Sequence, residues 1–251
     1  YINFQKKLII PELEKNNYRN LLYLFFLLML SVLINFSVRF YEKNLWDKNP
    51  SIFYAEGEPL LRSGDPAYFV NIAKYLKNGL EISDYLEKLT YPTITDDEEF
   101  VTEPPLISQA ISFLSKDSSL EELVKASNKI ILVSSIITCL GVFLLFYSIG
   151  RPFEGVIASL GGGIYSNYLS RSSIGYVDTD ILNLFFMYAL FATIYLSSKN
   201  QSLQRSFIFS VLAGLLGKLF FLWYPKPELI LMSFFSLVFF TTFNTKNWKI
   251  V

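Results

Sequence analysis

The sequence predicts an all-α polytopic membrane protein with about six transmembrane helices and a large, partly helical first external loop. Three observations carry that prediction. Of 251 residues, 52 % are hydrophobic and only 18 % charged, with a mean hydropathy of +0.35, a balance foreign to soluble globules. The charges are clustered and leave long apolar runs. Finally, most of the basic residues of the short connections fall on one side once the runs are counted.

The first run, residues 21–38, is LLYLFFLLMLSVLINFSV, 18 residues without a charge. It is long enough to cross roughly 30 Å of hydrocarbon. Arg39 follows it, with no small-residue cleavage site, so it reads as an anchor and not a removed signal. Residues 1–19 then form a cytoplasmic segment, 20–41 the first transmembrane helix and 42–127 the first external loop. Between residues 42 and 125 there are 16 acidic and 8 basic residues, a net charge of −8. Residues 128–251 hold transmembrane helices two to six, with apolar runs at 130–149, 156–169, 181–196, 207–223 and 229–243.

Lys6, Lys7, Lys15 and Arg19, then Arg151, then Lys199 and Arg205, then Lys246 and Lys249 all fall on one side under strict alternation. Lysine and arginine in short loops stay cytoplasmic. The acidic 42–127 segment and the turns 171–180 and 223–226 therefore share the external face. The glycines Gly161, Gly162 and Gly163 read as small residues for close helix packing. Asn200-Gln201-Ser202 matches a glycosylation acceptor but falls on the cytoplasmic side, so no modification is expected there.

Composition excludes several functions. There is no histidine and one cysteine, Cys139, which removes Cys/His zinc sites, Ser-His-Asp triads and internal disulfides; Cys139 reads as an ordinary apolar residue within a span. Zero net charge argues against a nucleic-acid partner. Any metal must be held by carboxylates.

Asp178 and Asp180 stand out in SRSSIGYVDTDILNLFF, where two carboxylates two residues apart lie at a membrane edge. Their repulsion and desolvation call for a cation, and oxygen ligands suit a hard divalent ion. An N-terminal cap of the following helix would account for one aspartate and less well for both. Asp65 in GDPAYF precedes Pro66, a good helix start, so a capping role explains it when taken alone. The run Asp96-Asp97-Glu98-Glu99 reads as a solvated loop.

These segments resemble the catalytic subunit of oligosaccharyltransferases. SRSSIGYVDTDILNLFF is similar to that family's second acidic motif, with its upstream arginine and Asp-x-Asp core. GDPAYF resembles the first acidic motif, and Leu222-Trp223-Tyr224-Pro225 the Trp-Tyr-Pro turn after the fifth span of bacterial members. The likeness covers residues 20 to about 245, and its Asp-x-Asp form is nearer the single-subunit bacterial and archaeal type than the eukaryotic Asp-x-Glu.

The resemblance implies a GT-C glycosyltransferase that moves a glycan from a lipid pyrophosphate carrier to asparagine in Asn-x-Ser/Thr of an acceptor polypeptide, with inversion. It implies Mg²⁺ or Mn²⁺ held by Asp65 and Asp178, with Asp180 as ligand or close neighbour. Asp65 would also polarise the acceptor amide, Arg171 would sit beside the acids, and Tyr224 would line the donor's path. It further implies a multi-pass protein of the plasma (inner) membrane in contact with its lipids, an active site on the external or periplasmic face, and no obligate partner subunits. The family's Trp-Trp-Asp-Tyr-Gly motif is not in this chain, whose tryptophans are Trp46, Trp223 and Trp248. With Tyr1 first and Val251 last, the chain reads as the N-terminal part of a longer enzyme, inactive alone.

Two other readings compete. A protein O-mannosyltransferase-like GT-C enzyme would share an acidic first external loop but not the Gly-x-x-Asp-Thr-Asp turn. A transporter or cation channel would use the aspartates to line an ion path, although acids at the external edge and a loop as long as 42–127 fit it poorly.

Overall fold

The computed structural model describes residues 18–55, 57–80, 104–199, 202–224 and Met232. The basic N-terminal segment 1–17, the acidic run Asp96-Asp97-Glu98-Glu99, Asn200-Gln201 and the apolar run 229–243 apart from Met232 lie outside the described residues.

The protein is helical. α1 spans Tyr18–Lys48, and after a single turn, α2 (Pro50–Phe53), a two-residue β1 (Tyr54–Ala55) pairs antiparallel with β2 (Glu58–Pro59). Next come α3 (Gly64–Lys77), α4 (Leu106–Leu114), α5 (Leu120–Ser148), α6 (Pro152–Ile164), α7 (Ser166–Arg171), α8 (Asp180–Lys199) and α9 (Leu203–Trp223). Among the described residues four helices are long and apolar enough to cross a membrane: Leu21–Lys48, Leu120–Ser148, Asp180–Lys199 and Leu203–Trp223.

Both ends of the acidic segment are more helical than the hydropathy suggests. α1 runs on past the apolar stretch to Lys48, where Asn49-Pro50 stops it, because a residue before proline leaves the helical region. α5 starts at Leu120, ten residues before its apolar run, with the Ser119 hydroxyl accepting from the Glu122 amide as N-cap. Arg39, read from sequence as the flank of the first span, is completely buried. It belongs to a polar stripe, Ser31, Asn35 and Arg39, spaced four apart on one face of α1 and buried with Leu24, Leu28, Val32 and Trp46. The opposite face shows Leu22, Phe25, Phe26 and Leu33 outward, as a lipid-facing helix must.

The third predicted span, 156–169, is two helices with a break at Tyr165. α6 alone has 13 residues, about 20 Å at 1.5 Å per residue, short of a crossing. Breaking a helix within a bundle frees carbonyls that lipid cannot satisfy, so other groups must reach them. Arg39 Nη2 donates to Gly163 O at 3.2 Å, one turn before α7 begins. The close approach of α1 depends on Gly163, since a Cβ there would collide with the Asn35 side chain. Of the three clustered glycines only this one meets a neighbour; Gly161 and Gly162 have open space.

α5 is the central helix, packed against α1, α6 and α8, with α9 on the far side of α8 and α3 and α4 against its N-terminal half. Its buried face is rich in small residues, Ser127, Ser134, Ser135, Thr138 and Gly141, which let the helices approach closely. At Gly141 a Cβ would stand 2.7 Å from the Phe185 ring of α8. Thr138 Oγ1 and Tyr168 Oη both donate to Ile181 O, at 3.0 and 2.8 Å, which ties α5 and α7 to the first turn of α8. Cys139 is buried on α5, with its sulfur 3.7 Å from Ser159 O, in keeping with a packing role.

Candidate functional site

α7 ends at Arg171, and residues 172–179 cross to the start of α8. Local hydrogen bonds such as Tyr176 N to Ser173 O at 3.0 Å satisfy part of this turn, and much of the rest of its backbone is met from elsewhere. Arg39 Nε donates to Ser172 O at 3.1 Å. Ile174 N donates to Glu42 Oε2 at 3.0 Å, and Gly175 N to Asn128 Oδ1 at 3.0 Å. Gly175 O accepts from Arg62 N at 3.2 Å. Gly175 has φ +76°, a conformation disfavoured for residues with a Cβ, and a Cβ there would collide with the Trp46 ring. Buried Ile174, Val177 and Ile181 anchor the turn in the core.

At its end sits Asp178, 8 % exposed. Thr179 N donates to its Oδ1 at 2.6 Å and Thr179 Oγ1 at 3.2 Å. The Thr179 carbonyl accepts from Trp223 Nε1 at 2.6 Å, so the last turn of α9 is fastened between the two aspartates. Asp180 opens α8, its Oδ1 accepting from Asn183 Nδ2 at 3.1 Å. Both acids face Arg171: Nη1 lies 3.8 Å from Asp178 Oδ2 and Nε 3.9 Å from Asp180 Oδ2. Arg171 is itself held by donating to Tyr176 Oη at 2.6 Å, with its guanidinium 5.6 Å from the ring centre.

Asp65 lies in the first turn of α3 and is exposed. Its N-cap residue Ser63 is extended, but the serine side chain makes no capping bond. Its negative charge is felt at Asp178: burial first, then Asp180, then Asp65 push the Asp178 carboxyl above the usual carboxylate range, against the lowering effect of the Thr179 bonds. Arg171 is shifted the opposite way, its guanidinium held more firmly protonated by Tyr176 and by Asp180. Three carboxylates from two distant stretches of sequence thus bear on one another, with one arginine at the outer limit of ion-pair distance. Tyr224 follows Trp223 directly, donates its backbone N–H to Phe220 O at 2.8 Å and packs on the core.

Whether these residues suit a divalent ion can be asked of their chemistry. Asp178 has its cationic partner Arg171 only at the outer limit of ion-pair distance, and beside Asp180 the Asn183 Oδ1 is a buried oxygen without a donor among the described residues. Oxygen type and excess negative charge fit a hard cation. Among the described residues, however, no three Asp, Glu, His or Cys side chains come close enough together to hold one. The donors fit in kind, and further oxygens would have to complete a shell.

Sequence reasoning missed Arg39, Glu42, Arg62 and Asn128 as parts of this site, and singled out Trp223 only within the Leu222-Trp223-Tyr224-Pro225 turn. The spacing of Ser31, Asn35 and Arg39 within an apolar helix was the available signal for the first. Arg62 stands three residues before Asp65, with no pattern around it that marks it out.

The family described as oligosaccharyl transferase STT3, N-terminal, matches residues 106–247, more than half of the chain. The chain belongs to this STT3 family. The matched stretch contains Arg171, Asp178, Asp180 and Tyr224, whereas Asp65 precedes it. The fold is similar to that of part of the oligosaccharyltransferase of Archaeoglobus fulgidus. Its apo crystal structure aligns with TM-score 0.61 at 19 % identity, covering 82 % of this STT3-family chain. AglB from the same organism, in complex with an inhibitory peptide and a dolichol-phosphate, aligns with TM-score 0.59 at 20 % identity over the same share. The chain spans 24 % of the length of each of these structures. No curated protein sequence matches it.

Proposed function

We propose that this STT3-family chain is the N-terminal membrane portion of an oligosaccharyltransferase that transfers a glycan from a lipid-pyrophosphate carrier to asparagine in Asn-x-Ser/Thr. The observation that carries the reading is that the helix start bearing Asp65 is bonded, through Arg62 N to Gly175 O at 3.2 Å, to the turn bearing Asp178 and Asp180, in a chain whose family is STT3. The AglB complex with a peptide and a dolichol-phosphate supports the same two classes of ligand here.

An asparagine amide is a poor nucleophile because its nitrogen lone pair is delocalised into the carbonyl. Carboxylates that accept its N–H bonds concentrate electron density on nitrogen, and Asp65, exposed at a helix start, is free to do so. Asp178 is held rigid by its turn, so it meets substrate without reorganising. Arg171 places a positive charge beside these acids, and its bond to Tyr176 fixes where that charge sits. Tyr224, next to the Trp223 fastened at Thr179, faces the carrier's path in this reading. Mg²⁺ or Mn²⁺, with Asp65 and Asp178 as ligands and Asp180 as ligand or close neighbour, would orient the carboxylates and offset charge developing on the pyrophosphate leaving group. Displacement in one step inverts the anomeric carbon.

The described basic connections, Arg151 and the pair Lys199 and Arg205, belong to the opposite helix ends from the acids. Positive residues stay cytoplasmic, which supports an external site in a plasma (inner) membrane protein. The reading includes no obligate partner subunits and no activity of residues 1–251 alone. The test is a transfer assay on the complete parent protein with lipid-linked oligosaccharide and a fluorescent Asn-x-Ser/Thr peptide. Divalent-dependent transfer lost in Asp178→Asn is the expected result. Ion flux in proteoliposomes abolished by the same substitution, with no transfer by the wild type, would overturn it in favour of transport.

A further inference from the structure

The helix start carrying Asp65 and the turn carrying Asp178 come from parts of the chain more than one hundred residues apart, and something must set their separation. Surface helix starts are mobile unless tied down. The ties converge on two residues. Arg62, three residues before Asp65, donates its backbone N–H to Gly175 O at 3.2 Å and Nη1 to Ser173 Oγ at 2.8 Å. Its Nη2 donates to Glu42 Oε1 at 2.6 Å. The other oxygen of Glu42, Oε2, accepts Ile174 N at 3.0 Å. The Arg62 guanidinium also lies 5.9 Å from the centre of the Trp46 ring, and Trp46 is the residue that leaves no room for a Cβ at Gly175. Arg62, from the segment that leads into Asp65, and Glu42, from α1, therefore touch three successive residues of the turn, 173, 174 and 175.

We infer that Arg62 and Glu42 are positioning residues that lock the Asp65-bearing helix start to the Asp178-bearing turn, so that the two carboxylates hold a fixed mutual geometry. The inference rests on the transferase reading for its effect on rate, while its structural content stands apart. An isolated, half-exposed ion pair contributes little to stability. Its value here is geometric: a planar fork fixes direction, and Glu42 spends one oxygen on Arg62 and the other on a backbone N–H. Lysine at 62 could keep the charge but could not serve Ser173 and Glu42 together. Glutamine at 42 could keep an acceptor for Ile174 N.

The test uses the complete parent protein in detergent or nanodiscs, with two readouts: amide hydrogen exchange of the peptide containing residues 172–178, and steady-state transfer kinetics. For Glu42→Ala and Arg62→Ala we expect exchange in that peptide to rise about tenfold or more while peptides from α5 and α8 keep their protection. Transfer should show kcat down by roughly ten- to hundredfold, the scale of an ångström-size misplacement, with KM for the acceptor nearly unchanged. Glu42→Gln keeps one acceptor but turns an N–H donor toward Arg62, so it should retain only part of the wild-type exchange protection, and Arg62→Lys should lose most of it. The swap of Glu42→Arg with Arg62→Glu rebuilds an ion pair but leaves Ile174 N without its acceptor, so it should fail to restore either readout.

Unchanged exchange in both alanine variants would overturn the inference. So would rescue by the swap, which would reduce the pair to a simple charge contact, or loss of protection throughout the bundle, which would make the role one of general stability. If the wild-type protein transfers no glycan, the functional reading falls and the exchange data alone decide whether the turn is held in this way.

Discussion

Asp178, 8 % exposed, sits in a turn whose backbone is bonded to α1, α5 and the segment before α3. Asp65 sits on the first turn of α3, exposed, without a side-chain cap at Ser63. Both acids stand at the same end of the bundle and feel one another electrostatically. The contrast shows how such a site can combine rigidity with access. A wired carboxylate keeps its place without substrate, and an exposed one on a helix start can reach an incoming group. The cost falls on the wired one, whose burial and like-charged neighbours disfavour its ionised form.

Substitutions can break this contrast or sharpen it. The largest effect should come from Asp178→Asn, which keeps the acceptor for Thr179 N but removes the charge. Transfer by the parent protein should fall by about a hundredfold or more. Divalent cation should raise the thermal midpoint of the wild type and not of this variant. Next is Gly175→Ala, which meets both a positive φ and the Trp46 ring. About 2–4 kcal/mol of destabilisation is expected from strain plus a steric clash, read as a lower thermal midpoint in detergent. Asp65→Asn should sharpen the comparison, abolishing most transfer with almost no change in that midpoint, because its side chain is exposed.

The pH dependence follows from the raised carboxyl of Asp178. The folded state binds this proton more tightly than the unfolded chain. Stability from this group is therefore present at low pH and lost as pH rises through the window between the ordinary carboxylate value and the raised one. Without divalent cation, the wild type should lose stability across that window relative to Asp178→Asn, as measured by thermal midpoints at successive pH values. Trp223→Phe should cost about 1 kcal/mol, leaving the Thr179 carbonyl without its donor at 2.6 Å. The smallest effect belongs to Lys43→Ala. Its i, i+4 pair with Asp47 is exposed, so a change below roughly 0.5 kcal/mol is expected. A large effect there would mean that the surface of α1 matters in ways its contacts do not reveal.

Much of this protein was legible before any coordinates. Apolar runs, uncharged except for Lys218 in the fifth, located the first, second, fourth and fifth spans, because transfer of apolar side chains into hydrocarbon is a local free energy that each segment carries by itself. The acids at 65, 178 and 180 were legible for the converse reason: a charge at a membrane edge is costly and so stands out. Arg39 was misread because hydropathy treats an arginine after an apolar run as a boundary, whereas here a broken helix across the bundle supplies carbonyls that let the charge be buried. The break itself, at Tyr165, carries no proline, and its one mark in the sequence, the helix-weakening Gly161-Gly162-Gly163 just before it, reads as a packing feature.

What the sequence by itself determined is therefore the set of segments that enter the membrane, the side of the bundle that gathers acid, and the residues whose charge requires company. What only the tertiary structure decided is who provides that company: Arg39 for Gly163 and Ser172, Glu42 and Arg62 for the turn at 173–175, and Trp223 for Thr179. The physical reason is range. Helix formation and partition into lipid depend on neighbours a few residues away, while these hydrogen bonds join groups 44 to 133 residues apart. Many polar side chains could make such bonds, and only the packing of the helices selects the ones that do.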